Sequence, residues 1–470
     1  MSLSSALNSA ASGLTTAQTQ TSLIADNIAN ATTEGYVRRD AVVVTNKSGG
    51  AQVSEVRRDV DAALVRMSRS ESSKMAHQQA IYEALEDYTL YLGEAGDGTS
   101  MADKFSGFNT SLTTLVNMPS SADAQSAAVY AAEDLAASIR GASNTLAQVG
   151  ADVDMEIRYE IKDLNQALYD LADLNGKMLT IEPGTAEAAT LGDRMDGLLD
   201  QVSDIVGVRI SYSSENTVSI FTTGGAALLE GSTVHDVSYN SGDGTFYAGD
   251  REITPGKDGV RGIEEGSLAG FAELQREILP QFQLQLDEYA RGLIQAFEAS
   301  DTSLAAGDAG LFTDNGGAFD AADLAGLASR IQVNEAVSHD GDAEIWRIRD
   351  GMAAAGEGAA ADATQIQGFI DGLGMAVGAD PDTGMSASVT VSEFANQLLT
   401  AQNAEASRAE SNYNAASSAA ELIQTSRANV EGVNIDDELQ QLLLIEQSYA
   451  ANSKMLTTVA EMLDTLLAAV

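Results

Sequence analysis

The side chains that most often carry catalysis or bind metals are sparse in this chain. Its 470 residues include no cysteine and only three histidines, His77, His235 and His339. No histidine has a second histidine or a cysteine at a spacing that would place both on one zinc ion. The absence of cysteine excludes disulfides, thiolate metal sites and cysteine nucleophiles. The sequence therefore predicts neither a zinc centre nor a catalytic thiol.

Clusters of aspartate and glycine are the other pattern that could bind a metal. They occur around Asp97, Asp243, Asp314 and Asp340–Asp342. A calcium loop needs acidic ligands at fixed intervals and a closing glutamate, and none of these clusters has that spacing. Chance clusters are expected because the chain has 69 acidic residues, and the sequence contains no phosphate-binding glycine loop. We predict that the protein is not an enzyme and holds neither a metal nor a cofactor.

The charge balance limits the kinds of partner that the protein can bind. The 26 basic residues leave a net charge of −43, which repels nucleic acid and anionic lipid. No apolar run approaches the roughly 18 residues of a membrane span, and the first basic residue is Arg38, so a secretory signal is not recognisable. We expect no nucleic-acid or membrane partner, and either a cytoplasmic location or export without a cleavable signal.

Both ends of the chain carry an apolar heptad pattern. A period near 3.5 residues makes a helix with one apolar seam, and such a seam packs against a partner helix. A fold that uses both termini for packing suggests a subunit of an assembly. The predicted assembly interface consists of Leu3, Leu7, Leu14, Ile24, Ile28, Leu442, Ile445, Tyr449, Leu456, Val459, Leu463 and Leu466.

The first helix is also nearly free of charge. Between Met1 and Thr33 the only charged residue is Asp26, so the helix can be contacted on every side without desolvating ions. A disordered tail rich in serine and threonine is the alternative, but a tail has no reason to keep a heptad. Because the two seams have little else to bury against, we expect about Met1–Asn30 and Asn434–Val470 to be mobile in the monomer and to become helical on assembly.

Between the ends, helical and strand periods alternate. The predicted fold is mainly α with a small antiparallel β part. Helices are predicted at about 62–91, 101–116, 123–149, 157–178, 186–204 and 266–300, and strands at 41–45 and 52–56 and within 206–263. Pro280 is expected to kink its helix or to begin a new one. Thr390 and Glu393 form a capping box for a helix to about Val430, and Asn434 caps the last helix.

This pattern predicts three domains. The terminal coiled coil comprises residues 1–35 and 434–470. The helical bundle comprises residues 36–300 and 390–433, with its β part at about 206–263. Residues 301–389 have weak periodicity and are expected to form short helices and loops, as a reduced outer segment.

The end of the first helix carries a distinctive turn. Asn30 and Gly35 both tolerate positive φ, and Tyr36 can be buried beside the turn. This stretch resembles the NIAN-x-x-T-x-G-Y-x-R signature of bacterial flagellar axial proteins, which are the rod, hook and hook-associated proteins. The matching residues are Asn27, Ile28, Ala29, Asn30, Thr33, Gly35, Tyr36 and Arg38.

A second match narrows the resemblance to the hook–filament junction protein family. It is carried near the C-terminus by Gly432, Val433, Asn434, Asp436, Glu438, Gln447 and Asn452. Residues 191–199 and 266–298 are similar to interior segments of the same family. Many members carry a β-rich outer domain after the second of these segments, and the short 301–389 region implies that it is reduced or absent here.

The resemblance implies a structural role outside the cell. Members of this family are exported through the flagellar type III apparatus without signal cleavage, with the help of an export chaperone. They self-assemble into a ring in the flagellar axis, with hook protein below and the second junction protein and flagellin above. The sites of such a protein are interfaces. The alternatives are another axial protein of hook or rod type, or a secreted acidic adhesin or hydrolase with helical ends.

Overall fold

The computed structural model describes residues 3–33, 35–47, 49–94 and 96–468. The fold is mostly helical with small antiparallel sheets, which confirms the predicted fold class. None of the helices in the described part of the chain is long and apolar enough to cross a membrane. The first elements are α1 (Leu3–Ala29), β1 (Arg39–Thr45), β2 (Ala51–Arg58), α2 (Ala62–Leu92), α3 (Met101–Asn117), α4 (Ala122–Met178) and α5 (Ala186–Ile205).

The middle of the chain holds the β part and the helices that follow it. Its elements are β3 (Val208–Tyr212), β4 (Val218–Thr222), β5 (Ala227–Glu230), β6 (Thr233–Val234), β7 (Val237–Asn240), β8 (Thr245–Ala248), β9 (Arg251–Glu252), α6 (Ser267–Glu273) and α7 (Leu279–Ser300). The strands form two antiparallel sheets, β3-β4-β5-β6 and β7-β8-β9, where we expected one.

The last part of the chain begins with short elements and ends with two long helices. They are β10 (Phe312–Asp314), α8 (Leu327–Arg330), β11 (Ile331–Val333), α9 (Arg347–Asp350), α10 (Thr364–Leu373), β12 (Ala376–Gly378), β13 (Ser388–Thr390), α11 (Val391–Glu431) and α12 (Ile435–Ala468). The pairs β10–β11 and β12–β13 are short antiparallel ladders that the expectation of helices and loops missed. The capping box is present, since Thr390 Oγ1 accepts from the amide of Glu393 and the Glu393 carboxylate accepts from the amide of Thr390.

Helix α4 runs without interruption for 57 residues, although two separate segments were predicted. Gly150 lies inside it, and a glycine in a helix costs only about 1 kcal/mol relative to alanine. The buried residues Val149, Val153, Ile157 and Ile161 keep a four-residue spacing past the glycine. Burial of this continuous apolar face therefore outweighs the low helix propensity of Gly150.

Pro280 begins a new helix, which is the second of the two outcomes left open by the sequence. It stands in the first turn of α7, and Ile278 and Leu279 before it keep helical dihedral angles, so one helical segment passes into the next without a loop. A π-helical turn, Leu274–Ile278, separates α6 from α7. Such turns are rare and interrupt the regular register of a helix.

Contacts divide the chain into two compact units. One comprises Met1–His77, Tyr159–Ala269 and Asn414–Val470, and the other comprises Gln78–Arg158 and Gly270–Tyr413. Helices α2, α4, α6 and α11 contribute residues to both. The three predicted domains stay a prediction; of their residues, 1, 2, 34, 48, 95, 469 and 470 lie outside the described ones.

In the first unit, two asparagines of α4 fasten the sheets to the helix. Asn175 donates to the carbonyl of Val218 and accepts from its amide, both at 2.8 Å. Asn165 does the same with Val237, also at 2.8 Å. Each side-chain amide thus makes the pair of hydrogen bonds that a neighbouring strand would make.

In the second unit, polar residues of α7 hold the 301–389 segment. The Asp287 carboxylate accepts from the amides of Gly326 and Ala328, each at 2.8 Å. Gln285 donates to the carbonyl of Thr383. Burial raises the pKa of Asp287, while the two amide bonds act in the opposite direction. The short segment is therefore fixed to the core helix through satisfied buried polar groups.

Candidate assembly interface

The turn after α1 sets the direction of the chain toward β1. The helix ends at Ala29, and the Asn30 side-chain amide donates to the carbonyl of Asp26 at 2.9 Å. Gly35 has φ of +74°, as predicted, whereas Asn30 is not among the residues with positive φ. Asn30 therefore ends the helix through a side-chain hydrogen bond. Of these two residues, only Gly35 has the left-handed backbone conformation.

Asn27 is the centre of the contact between the two ends of the chain. It is fully buried, and its Oδ1 accepts from the amide of Arg39 at 3.1 Å and from the Tyr36 hydroxyl at 2.9 Å. Its Nδ2 donates to the carbonyl of Arg39 at 3.0 Å and to Glu438 Oε2 at 3.1 Å. A buried amide is stable only with such partners. These four bonds attach α1 to β1 and to the first turn of α12.

Glu438 is the partner of Asn27 on α12. It is also fully buried, and Arg38 Nε donates to its Oε1 at 2.7 Å. Burial disfavours the Arg38 charge, but the hydrogen bond to Glu438 and the charges of Asp40 and Asp59 outweigh it and raise the pKa of Arg38. The Glu438 carboxylate thus has one charged partner, Arg38, and one amide partner, Asn27. A buried carboxylate requires such partners.

An alternating series of ion pairs holds the same region to the rest of the first unit. Four arginines and four acids take part, on β1, β2, α2, α5 and α11. We call this series the ion-pair ladder; in order its members are Arg39, Asp193, Arg58, Asp196, Arg69, Asp200, Arg427 and Glu431. The N···O distances range from 2.6 Å for Arg39–Asp193 to 3.0 Å for Arg427–Asp200, apart from a very close Arg58–Asp196 pair.

Asp196 lies in the middle of the ladder. Burial raises the pKa of the Asp196 carboxyl, but the guanidinium groups of Arg58 and Arg69 outweigh burial and hold that pKa below its ordinary value of 3.8. At the end of the ladder, the Glu431 carbonyl accepts from the amide of Arg38 at 2.9 Å, and its side chain accepts from the amide of Asp61 at 3.1 Å. The ladder therefore starts at Arg39, whose backbone is hydrogen-bonded to Asn27. It finishes at Glu431, whose carbonyl is hydrogen-bonded to the amide of Arg38.

Helix α1 lies against α12 on one side and against β1 and β2 on the other. Its buried residues are Ala10, Thr16, Ala17, Leu23, Ile24 and Asn27. This corrects the expectation that α1 has little to bury against within the chain. Gly13 shows how closely the helices approach, because a Cβ placed there would lie 2.7 Å from Asn452 Nδ2. The signature residue Asn452 thus packs on a glycine that we had not singled out.

The predicted interface residues lie mostly on this intramolecular contact. Ile24 and Val459 are buried, and Leu3, Leu7, Leu14, Ile28, Leu442, Ile445 and Leu456 are half-buried. The exposed members are Tyr449, Leu463 and Leu466. For all of these residues, contact with a second subunit stays a prediction.

Beside the predicted seam, and sharing Leu466 with it, α12 carries an exposed apolar stripe. Leu444, Met455, Met462 and Leu466, which we call the outer stripe, have exposed fractions of 66%, 53%, 53% and 58%. Their spacings of 11, 7 and 4 residues each bring a helix back to nearly the same face. Of the 34 residues of α12, only Glu438 and Val459 are buried. A row of large exposed apolar side chains on one helix indicates an interaction site.

The residues that could have done chemistry have structural partners. His339 Nε2 lies 2.8 Å from the Ser126 hydroxyl, its Nδ1 lies 3.2 Å from Glu133, and its ring stacks on Tyr130. Asp97 accepts from loop amides including that of Thr99. Over the described ranges, no three possible metal ligands lie close enough to share an ion.

Comparison with known proteins relates the interior of the chain to one family. A sequence model of the helical domain of the flagellar hook-associated protein FlgK matches residues 91–310. Over these residues the chain is similar to the FlgK family. Two further models match the ends, that of the flagella basal body rod protein at residues 7–36 and that of the flagellar basal body rod FlgEFG protein C-terminal at residues 429–469. The FlgK helical domain therefore covers the interior, and the ends match the wider group of flagellar rod proteins.

Individual FlgK relatives are distant in sequence. Flagellar hook-associated protein 1 of Salmonella typhimurium is 26% identical over 321 aligned positions, which cover 64% of this chain and 57% of that protein. The protein of the same name from Bacillus subtilis is 24% identical over 506 aligned positions, which cover 97% and 96%. The match thus spans little more than half of the Salmonella relative.

A solved structure of the flagellar hook junction protein FlgK from Burkholderia pseudomallei is also similar. The identity is 18% and the TM-score is 0.44, and the match covers 53% of this chain and 46% of the other.

Proposed function

We propose that this chain is a structural protein of the bacterial flagellum that forms the junction between hook and filament by axial self-assembly. The observation that carries the proposal is the outer stripe of α12, which leaves large apolar side chains in solvent on a helix already paired with α1. A second copy would bury this surface, and burial of apolar area is the main driving force of association. The similarity of residues 91–310 to the FlgK helical domain supports this reading.

The proposed partners follow from the family. Hook protein would lie below the ring, and the second junction protein and flagellin would lie above it. The chain would reach this place through the type III export apparatus with an export chaperone and would function outside the cell. We propose that residues 1–35 and 434–470 form a terminal coiled-coil domain, residues 36–300 and 390–433 a helical bundle domain, and residues 301–389 a reduced outer segment. Its sites would be interfaces, without a catalytic group.

The interior separates this proposal from a rod or hook protein. The models that match the ends describe rod proteins and fit any axial subunit, whereas the model that matches residues 91–310 is that of the FlgK helical domain. An adhesin or a hydrolase would need a recognition or catalytic site of its own. A screen of the purified chain against peptidoglycan and glycans is expected to show no turnover.

Location on intact flagella tests the proposal. An epitope tag can be placed in the exposed stretch 356–361, which lies outside every helix and strand. Immunogold labelling is expected at a single band between hook and filament, and deletion of the gene is expected to leave hooks without filaments and flagellin in the medium. Label along the whole filament or on the rod, or normal filaments in the deletion strain, would contradict the junction role.

A further inference from the structure

A groove of about 670 Å³ lies beside the signature turn in the first unit. One wall comes from the end of α1 and the turn, with Asn30 and Tyr36, and the other comes from α5, with Arg194, Gly197 and Leu198. Gly197 leaves this wall open, because a Cβ built there meets nothing within 4 Å. The groove therefore has room for a short segment of another chain.

Arg194 gives the groove a free positive charge. Its side chain is exposed on α5, and no hydrogen bond or ion pair of Arg194 occurs among the described residues. The neighbouring Asp193 is already paired with Arg39 and Arg58, so it does not neutralise Arg194. Asp26 lines the α1 side of the groove and is the one acid there outside the ladder. In a chain of net charge −43, an unpaired cation on a groove wall is suited to an acidic partner.

The first turn of α12 has the complementary charge. Asp436 and Asp437 are exposed, and their carboxylates have no partner among the described residues. Asn434 caps this turn by accepting from the amide of Asp436 at 3.0 Å, so the turn is a defined, rigid element. The same chain thus presents an unpaired guanidinium and two unpaired carboxylates that do not meet each other.

The groove and the acidic turn lie at the same end of the helix pair. The Asn27–Glu438 hydrogen bond of 3.1 Å joins the end of α1 to the first turn of α12. Two copies placed side by side and parallel would therefore bring the groove of one to the level of the acidic turn of the next. Such a contact uses two different patches, so it is heterologous and can continue from copy to copy around a ring or along a helix.

We propose that the groove at Arg194 receives the first turn of α12 of a second copy, with Asp436 and Asp437 paired to Arg194. The proposal rests on the self-assembly proposed above and names the residues of one of its contacts. The contact sets the order and direction of neighbours, while the outer stripe supplies the apolar area.

Charge reversal in both partners tests the contact. The Arg194→Asp variant and the Asp436→Lys/Asp437→Lys variant are each expressed in a strain that lacks the native gene, and occupancy of the hook tip is measured by labelling. Each is expected to lower occupancy more than about tenfold, because like charges then face each other. Combining all three changes in one chain is expected to restore occupancy. Co-expressing the two variants as separate chains is also expected to restore it, because each groove then meets the opposite turn.

Lys162→Asp, an exposed change of the same sign on α4, is the control and is expected to keep wild-type occupancy. Thermal unfolding of each purified variant shows whether the fold is intact. Wild-type occupancy by the Arg194→Asp protein would overturn the contact, as would failure of both rescues with variants that unfold like the wild type. If the wild-type chain itself is absent from the hook tip, the proposed junction function fails, which is a separate result.

Discussion

The two terminal helices look alike in sequence and differ in the structure. Both carry an apolar heptad seam, yet α1 buries six residues between α12 and the β1–β2 hairpin, whereas α12 buries two and exposes the outer stripe. The difference follows from their surroundings, because α1 has neighbours on two sides and α12 is covered on one. A heptad pattern therefore predicts that a helix packs against another element. It does not predict how many of its packing neighbours belong to the same chain.

Loss of Asn27 should have the largest effect on the free protein. Asn27→Leu removes four hydrogen bonds and leaves the amide and carbonyl of Arg39 and one oxygen of Glu438 without that partner. We expect the free energy of unfolding to fall by about 3–5 kcal/mol, since buried polar groups are left unsatisfied. Thermal and denaturant unfolding measure it. Asn8→Leu, an exposed change of the same kind on α1, should stay close to wild type; an equal loss in both would show that α1 is not held through Asn27.

Acid should weaken the ion-pair ladder. The Asp196→Asn variant shows how much of this loss of stability comes from the Asp196 charge. The pKa of Asp196 is lower in the folded chain than in the unfolded one, so this carboxylate stabilises the fold above about pH 4, and the contribution is lost as the pH falls through the lowered folded value. Loss of this shared charge is expected to cost about 2–3 kcal/mol at neutral pH. The difference in stability between wild type and variant, measured from pH 7 to pH 2, should shrink on acidification. A difference that is independent of pH would refute the role given to the charge.

A charge in the seam should damage both the monomer and the assembly. Leu456 is half-buried on the face of α12 that carries the seam, and Leu456→Asp is expected to cost about 1–3 kcal/mol, less than for a fully buried leucine. Hydrogen exchange should show faster exchange in α1 and α12 of the free protein, and incorporation at the hook tip should fail. Unchanged exchange in both helices would mean that they are already separate in the free monomer, as expected from the sequence alone.

A charge in the outer stripe should have the smallest effect on the monomer. Met462 is 53% exposed, so Met462→Asp is expected to change the free energy of unfolding by no more than about 0.5 kcal/mol. Occupancy of the hook tip should nevertheless fall, because a charge now lies in the surface proposed to be buried between copies. Normal filaments in this variant would remove the outer stripe from the assembly interface and would make α1 and α12 equivalent after all.

Local signals predicted much of the fold. The positive φ of Gly35, the Thr390–Glu393 capping box and the cap at Asn434 depend on residues within a few positions of each other, and all three are present. The spacing of Leu444, Met455 and Met462 is also visible in the sequence, but the prediction took only Leu466 of this stripe, as part of the seam. Short-range patterns therefore identify helices and their ends more reliably than they identify which face stays uncovered.

Contacts between distant parts of the chain could not be predicted in the same way. Asn27 and Glu438 are 411 residues apart, and nothing in either local sequence names the other. The ladder left a partial trace, since Asp193, Asp196 and Asp200 share one face of α5. In a chain with 69 acids this pattern is not distinctive until four arginines from other elements are seen to face it.

The ion-pair ladder also has a mechanical consequence. Each of its six inner members contacts two partners of opposite charge, on strands and helices that are far apart in sequence. A shear that separates two inner members leaves both charges with a second partner. The ladder therefore loses its ion pairs one at a time as the deformation grows. A separated pair can form again because the remaining pairs still hold the strands and helices in place. A subunit in a rotating shaft would bear repeated torque through such an arrangement without a single point of fracture.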